Sequence, residues 1–186
     1  MALAVIVPHF DRRGLYHTLL KEWLPVLRES QEQALKGNAF NWSGTVSTHI
    51  GDYENAMTYL QQSLAISRDI GDRAMEGATL NNISQIYQYQ GDYATALDYL
   101  QQALAICRAL GDRAGLCVTL FNMGHIHYIN EGSQQAIASW VEAYRIAREI
   151  GYAEILNALD NLAKRLGGPG LKYWEMLSRQ LPAGEE

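Results

Sequence analysis

The sequence repeats itself with a period of 40 residues, and this repeat restricts the fold more than any other feature. Gly51–Gln90 aligns with Gly91–Asn130 without a gap, and 20 of the 40 positions are identical. A third and more divergent copy runs from Glu131 to about Gly170, while Leu35–Ile50 matches the second half of a copy. Internal repeats of this length are typical of solenoids, in which each copy is one structural unit stacked on the next.

Apolar residues recur at helical spacing in both halves of a copy. In the copy that begins at Gly91 they are Ala96, Leu100, Ala103, Leu104 and Cys107 in one half, and Leu120, Met123 and Ile126 in the other. Each copy is therefore predicted to be a pair of antiparallel helices with short connections. Because neither helix can bury its apolar stripe alone, neighbouring pairs must stack, and the predicted fold class is all-α.

The pair Gly-Asp occurs at Gly51-Asp52, Gly71-Asp72, Gly91-Asp92 and Gly111-Asp112, and it predicts where helices end and begin. A glycine just beyond a helix can adopt the left-handed conformation that closes it. The aspartate that follows can accept hydrogen bonds from the free N–H groups of the next helix. A metal loop would need several oxygen ligands close together, and a phosphate loop would need a lysine, so both alternatives fit poorly.

The pattern L-x-N-I-S-x-I-Y-x-x-x-G-D-Y-x-x-A-L-x-Y-L-x-x-A-L, from Leu80 to Leu104, resembles the tetratricopeptide repeat (TPR). The small residue of the family's first helix falls at Ser84 and Gly124, and its turn glycine at Gly91. The 40-residue period with its ending GDR is similar to the longer-helix subgroup in Pins-type polarity scaffolds, kinesin light chains and helical arrays of bacterial signalling ATPases. The resemblance implies a right-handed α-solenoid, the TPR-like superhelix, that serves protein–protein interaction.

The repeat also sets the expected domain organisation. Residues 1–34 are expected to form an N-terminal segment with a degenerate capping helix, which Pro25 should kink or restart. Residues 35–170 hold the TPR-like repeats, and residues 171–186 form a C-terminal capping helix and tail. The copies are expected at about 35–72, 73–112, 113–150 and, as a partial copy, 151–170.

An asparagine column is the first candidate site. In TPR proteins the first helix of each pair lines a concave groove, and Asn82, Asn122 and Asn161 occupy matching positions there, the last after a one-residue slip. An amide both donates and accepts hydrogen bonds, so the column can hold the backbone of a bound peptide. Alternatively, the amides link adjacent helices, and the sequence leaves both interpretations open.

Aromatic and amide residues complete the predicted groove. The other residues expected to face it are Asn81, Gln85, Tyr89, Phe121, His125 and Tyr128, with Asn38, Trp42 and Thr45 from the first copy. Aromatic residues beside neutral amides suit a partner segment with apolar anchors, although packing against the next copy is the alternative for each aromatic residue. Asn81 and Phe121 stand where TPRs that bind chaperone tails need a lysine, which disfavours recognition through a terminal carboxylate.

Charge and composition disfavour several classes of partner. The formal net charge is -5 and no basic block occurs, so nucleic-acid binding is not expected. The apolar run near the N-terminus is too short to span a bilayer and lacks the positive charge of a secretory signal. We therefore expect a cytoplasmic protein without a membrane partner.

No constellation of catalytic or metal-binding residues is recognisable. His125 and His127 are two residues apart on a helix and point to different faces, while Cys107 and Cys117 are expected to be buried thiols. We expect no cofactor, no metal and no enzymatic activity. The predicted function is a protein–protein interaction module that binds a peptide or protein segment in its groove. The alternative is a regulatory, sensor or self-assembly segment of a larger signalling system, associating through its terminal units.

Overall fold

The structure, a computed structural model, describes residues 18–130 and 132–181, apart from the side chains of Leu19 and Trp23. All regular secondary structure in these ranges is helical, which confirms the predicted all-α class of stacked antiparallel helix pairs. After a π-helical turn at Leu19–Trp23, the α-helices are α1 (Leu24–Arg28), α2 (Gln33–Ile50), α3 (Tyr53–Asp69), α4 (Arg73–Gln90), α5 (Tyr93–Leu110), α6 (Arg113–Ile129), α7 (Ser133–Ile150), α8 (Ala153–Arg165) and α9 (Leu171–Gln180).

The helices form two compact units, divided between Gln90 and Gly91. In unit 1, α2 packs on α3, and α4 packs on both of them, while α1 covers α2. In unit 2, α6 packs on α5 and α7, and α8 and α9 pack on α7 and on each other. The largest fully buried side chains of unit 2 are Trp140 and Trp174, whereas unit 1 buries Leu60, Leu80 and other aliphatic residues.

The Gly-Asp pairs are helix ends and starts, as predicted. The four glycines that carry them have positive φ angles: 83° at Gly51, 70° at Gly71, 79° at Gly91 and 65° at Gly111. The carboxylate of each aspartate accepts a hydrogen bond from the backbone N–H three residues later, over 3.2 Å at Asp52, 2.9 Å at Asp72, 3.1 Å at Asp92 and 2.9 Å at Asp112. Each joint therefore closes one helix and caps the next within a few residues.

The third copy keeps the turn and loses the side-chain cap. Gly151 has a φ of 69°, and the N–H of Tyr152 donates to the carbonyl of Ala147 over 2.8 Å, as the N–H groups of Asp52, Asp72 and Asp112 do at their joints. Tyr152 and Gly132 precede α8 and α7, and neither supplies a capping side chain. The backbone bonds alone thus preserve the joint in the divergent copy.

Replacing Asp112 with alanine is expected to lower the free energy of unfolding of unit 2 by about 1 kcal/mol, because the first turn of α6 loses its side-chain acceptor. Urea denaturation followed by circular dichroism measures this loss. Asp98, an exposed residue within α5, is the matched control, and its alanine variant should change stability by less than about 0.5 kcal/mol. Equal losses in the two variants would contradict the capping role.

In two of the helix pairs, a glycine in the first helix lets the second helix approach closely. A Cβ atom at Gly44 would lie 2.6 Å from Cδ2 of Leu60, and one at Gly124 would lie 2.5 Å from Cδ1 of Trp140. Both contacts join residues that are 16 apart, so they occupy the same place in two copies. The small residue predicted at Gly124 is therefore required by helix packing.

The first described helices contain the restart that Pro25 predicts. The π-helical turn ends at Trp23, and α1 begins at Leu24, one residue before the proline. Leu24 is only 2% exposed and so anchors this short helix in unit 1. Residues 1–17 of the predicted N-terminal segment lie outside the described part of the chain.

The last described helix, α9, lies within the residues where a C-terminal capping helix was expected. Trp174 is fully buried, and its indole N–H donates to the carbonyl of Leu159 over 2.7 Å. Arg145 of α7 donates to the carbonyls of Ser178 and Leu181 over 2.7 Å and 2.5 Å, and so fastens the end of α9. Residues 182–186, the predicted tail, lie outside the described residues.

Candidate functional site

Six uncharged residues share one face of the first helices of unit 1. They are Asn38, Trp42 and Thr45 on α2, and Asn82, Gln85 and Tyr89 on α4. Spacings of three and four residues place each trio on one side of its helix. Trp42 is 39% exposed and Tyr89 is 62% exposed, the latter although its ring stacks on Tyr53. We call these six residues the unit 1 amide face.

Asn82 is fixed by two hydrogen bonds to the neighbouring first helix. Its Nδ2 donates to Oδ1 of Asn41 over 2.6 Å and to Oγ1 of Thr45 over 3.1 Å. The amide therefore links α4 to α2, which is the second of the two interpretations of the asparagine column. Because an amide also has a carbonyl oxygen, this link leaves the peptide-contact interpretation untested.

The series of hydrogen bonds that begins at Asn82 continues through Asn41 into the core of unit 1. Nδ2 of Asn41 donates to Oγ1 of Thr79 over 2.8 Å, and the hydroxyl of Thr79 donates to the carbonyl of Met75 over 2.8 Å. Ser63 of α3 lies 3.1 Å from the same hydroxyl, and both hydroxyl residues are fully buried. Asn41 was not among the predicted site residues, although it stands 40 residues before Asn81 in the repeat.

The structure corrects the prediction for Asn81. It was expected to face the groove with Asn82, but it is only 6% exposed, and its amide Nδ2 lies 3.5 Å from the carbonyl of Gly77. Adjacent residues on a helix point about 100° apart, and here that rotation turns Asn81 into the packed interior beside Asn82. Asn81 therefore belongs to the packed side of α4.

In unit 2, three predicted groove residues gather around Trp140. The ring of His125 lies 4.5 Å from that of Phe121 and 5.3 Å from the indole of Trp140, both edge-on. Tyr128 lies 5.6 Å from the same indole, and the indole N–H donates to the carbonyl of Phe121 over 3.2 Å. Phe121 and His125 are half-buried, whereas Tyr128 remains 49% exposed. All three residues therefore take part in the packing around Trp140, and Tyr128 is the most exposed of them.

The environment of His125 favours its neutral form. Burial lowers the pKa of the imidazole, and the positive charge of Arg165 lowers it further. Burial also lowers the pKa of His127. Both imidazoles are therefore mainly neutral at neutral pH.

The remaining asparagines of the predicted column differ in exposure. Asn122 of α6 is half-buried, and Asn161 of α8 is exposed. Both lie in unit 2, whereas Asn82 lies in unit 1. Their role in binding a partner stays a prediction.

The two cysteines are buried thiols, as predicted. Burial raises the pKa of Cys117 to about 11, and its thiol donates to the carbonyl of Ala143 over 3.2 Å. Burial also raises the pKa of Cys107. Thiols that stay protonated are poor nucleophiles, so the structure gives neither cysteine a reactive environment.

Residues 18–130 and 132–181 contain neither a metal-binding cluster nor a membrane-spanning helix. These residues contain no group of three or more histidine, cysteine, aspartate or glutamate side chains that could hold a metal ion. Their helices are also too short or too polar for any of them to cross a membrane.

Two protein families match parts of the chain. Residues 35–109 match the tetratricopeptide repeat, and residues 85–167 match anaphase-promoting complex subunit 5. No curated protein is similar enough in sequence to count as a relative.

Solved structures with the same fold include BtubC (BKLC) from P. vanneervenii and aspartyl phosphate phosphatase F from Bacillus subtilis. The first superposes with a TM-score of 0.62 at 18% identity and covers 84% of this chain. The second superposes with a TM-score of 0.66 at 15% identity and covers 94% of this chain. The chain spans only 65% of the first protein and 58% of the second, so at these identities the likeness concerns the fold alone.

Proposed function

We propose that the chain is a non-enzymatic module that binds a peptide or protein segment of a partner, because residues 35–109 match the tetratricopeptide repeat family. The 40-residue period and the GDR ending favour the longer-helix subgroup of this family. TPR domains generally bind protein partners, which supports the general class of function. We assign binding to the exposed residues of the first helices.

The observation that carries this proposal is the exposure of large aromatic side chains on α2 and α4. Trp42 and Tyr89 lie on the unit 1 amide face, where they can provide apolar contact area beside polar groups. Tryptophan and tyrosine are enriched among the residues that contribute most to protein interfaces. Both side chains have two rotatable bonds, so fixing them in a complex costs little conformational entropy.

The double variant Trp42→Ala/Tyr89→Ala is expected to reduce recovery of the partner from a lysate of the native host by at least about tenfold, because both anchors are lost. The measurement is quantitative mass spectrometry of proteins retained by the immobilised chain. Leu110→Gln is the matched control, since Leu110 is also an exposed apolar residue, 48% accessible, but ends a second helix. If a fully helical double variant recovers as much partner as the wild type, the exposed aromatic residues of α2 and α4 do not contribute to binding.

A second candidate function is self-association through the first and last described helices. Val26 of α1 is 70% exposed and Met176 of α9 is 48% exposed, so both helices present apolar side chains to solvent. If these helices form a subunit interface, light scattering should show a mass that rises with concentration. Met176→Glu should then lower the apparent association constant by at least about tenfold, because a charge would be buried in the interface. A constant monomer mass would exclude this candidate.

A further inference from the structure

We infer that the stacked rings of Tyr53 and Tyr89, called the tyrosine pair below, bind the guanidinium group of an arginine in a basic partner segment. Tyr53 is the first residue of α3, and Tyr89 lies in the last turn of α4. Their ring centroids are 5.6 Å apart, and the ring planes are inclined by 22°. The inference rests on the proposed function, because Tyr89 also belongs to the unit 1 amide face, and it specifies the chemistry of one residue of the partner.

Unit 1 contains a similar pair of rings that already holds a guanidinium. Phe40 of α2 and Tyr59 of α3 are stacked, with centroids 6.3 Å apart and planes inclined by 28°. The guanidinium carbon of Arg28 lies over both rings, 4.6 Å from the centroid of Tyr59 and 5.8 Å from that of Phe40. The negative face of an aromatic ring attracts a cation at such distances. This pair therefore shows how unit 1 can hold a guanidinium on two stacked rings.

The tyrosine pair has the same stacked geometry, but its surface is open to solvent. Among the residues that the structure describes, no arginine or lysine lies over either ring. Tyr89 is 62% exposed, although one part of its ring contacts Tyr53. Because a guanidinium is flat and less strongly hydrated than an ammonium group, it stacks on an exposed ring more readily. The surface of the tyrosine pair therefore favours arginine over lysine.

An acidic side chain beside Tyr53 provides a counter-charge for a bound cation. Glu54 is the next residue of α3, is exposed, and forms no ion pair with any residue of the described ranges. Asp52 precedes Tyr53, but its carboxylate already accepts two hydrogen bonds from Asn55 in the cap of α3. A guanidinium has five N–H donors, so it can donate to Glu54 while its flat face stacks on a ring.

The basic side chains of α2, α3 and α4 lie far from the tyrosine pair. Residues 37–67 and 77–90 contain no lysine or arginine. Lys36, Arg68 and Arg73 are close to the opposite ends of these helices, roughly 20 Å away along the helix axes. This separation exceeds the Debye length of about 8 Å at physiological ionic strength, so their repulsion is largely screened. The acidic residues beside Tyr53 are thus the nearest charges of these three helices, and they favour a basic partner over an acidic one.

The test compares three short peptides that differ in one type of side chain. Each peptide alternates glycine with arginine, with lysine, or with citrulline, the uncharged analogue of arginine, and binding to the full chain is measured by nuclear magnetic resonance titration. The arginine peptide should bind at least about threefold more tightly than the lysine peptide, because only its planar group can stack. It should bind at least about tenfold more tightly than the citrulline peptide, because repeated charges add to its attraction.

Substitutions at the tyrosine pair locate the site of binding. Tyr89→Leu should weaken binding of the arginine peptide about two- to fivefold, the usual contribution of an exposed cation–π contact. Tyr89→Phe keeps the ring and should bind like the wild type. Glu54→Gln should weaken binding about twofold at low salt and less at high salt. Tyr128→Leu removes another exposed tyrosine, in unit 2, and is the matched control that should leave the affinity unchanged.

The bound arginine gives a readout in the wild-type chain itself. A hydrogen that lies over the face of an aromatic ring is shifted upfield by the ring current. The hydrogens on Cδ of the peptide arginines should therefore move upfield on binding to the wild type and to Tyr89→Phe. This shift should be reduced with Tyr89→Leu. The absence of an upfield shift in the wild-type complex would contradict stacking on the tyrosine pair.

The outcomes separate this inference from the proposed function. Equal affinities of the arginine and lysine peptides, or unchanged binding to a fully helical Tyr89→Leu variant, would overturn the inference. If either result is obtained while partner recovery still depends on Trp42 and Tyr89, the inference is wrong and the proposed function stands. If the arginine peptide behaves as expected while partner recovery is unaffected by the double variant, the arginine site stands and the assignment of binding to α2 and α4 is wrong.

Discussion

Replacement of Trp140 by alanine is expected to lower the free energy of unfolding of unit 2 by about 3–5 kcal/mol, the usual cost of truncating a fully buried tryptophan. The indole is 0% exposed and contacts the rings of His125, Tyr128 and Trp174. Alanine would leave a cavity at the centre of this aromatic cluster. It would also remove the hydrogen bond from the indole N–H to the carbonyl of Phe121. Denaturant unfolding followed by circular dichroism measures the loss.

The Trp140→Phe variant separates packing from hydrogen bonding. Phenylalanine keeps an aromatic ring in the cluster and removes the N–H group, so we expect a smaller loss of about 1–3 kcal/mol. Met176→Ala truncates an exposed side chain of the same unit and should change stability by less than about 0.5 kcal/mol. If Trp140→Ala loses no more than Met176→Ala, Trp140 does not occupy a tightly packed core.

The Gly124→Val variant is expected to destabilise unit 2 by about 3 kcal/mol, near the upper end of the usual range for overpacking. A Cβ atom at this position would lie 2.5 Å from Cδ1 and 2.8 Å from Cε2 of Trp140. The indole is rigid and enclosed, so α6 and α7 would have to separate to admit the new side chain. Valine at Ala114, an exposed position of the same helix, is the matched control and should cost about 0.5 kcal/mol through helix propensity alone.

A double-mutant cycle identifies the cause of that loss. If Gly124→Val acts by colliding with the indole, the additional change Trp140→Ala provides the missing space. The double variant should then be more stable than the sum of the single losses by about 1–3 kcal/mol. Additive losses would show that valine acts on α6 in another way.

The helix ends could be predicted from the sequence because their chemistry is local. In a Gly-Asp pair, the glycine provides the left-handed turn and the aspartate provides the cap. The structure confirms both roles at Gly51-Asp52, Gly71-Asp72, Gly91-Asp92 and Gly111-Asp112. The small residue at Gly124 was expected from the resemblance to the tetratricopeptide repeat. The helix ends needed only the period and the preferences of single residues.

Side-chain partners across helices were not predictable in the same way. Asn81 and Asn82 were both predicted to face the groove, but the pitch of α4 buries Asn81 and turns Asn82 towards α2. His125 was also predicted to face the groove, and its contact with Trp140 was not anticipated. Trp140 aligns with Leu60 and Leu100 at 40-residue intervals. That alignment was a signal for a buried position, although it could not show which aromatic residues would surround the larger side chain.

Each helix joint is satisfied by hydrogen bonds among neighbouring residues, and this affects how the number of repeats can change during evolution. The bonds that end one helix and cap the next lie within about ten consecutive residues, as from Ser47 to Asn55. A duplication or deletion of one 40-residue segment in the gene would therefore leave every remaining helix with its own ends satisfied. Only the stacking surfaces would need to adapt, and those are alike because half the positions of the two clearest copies are identical. Variation in copy number is thus a change that this architecture tolerates better than an insertion within a helix.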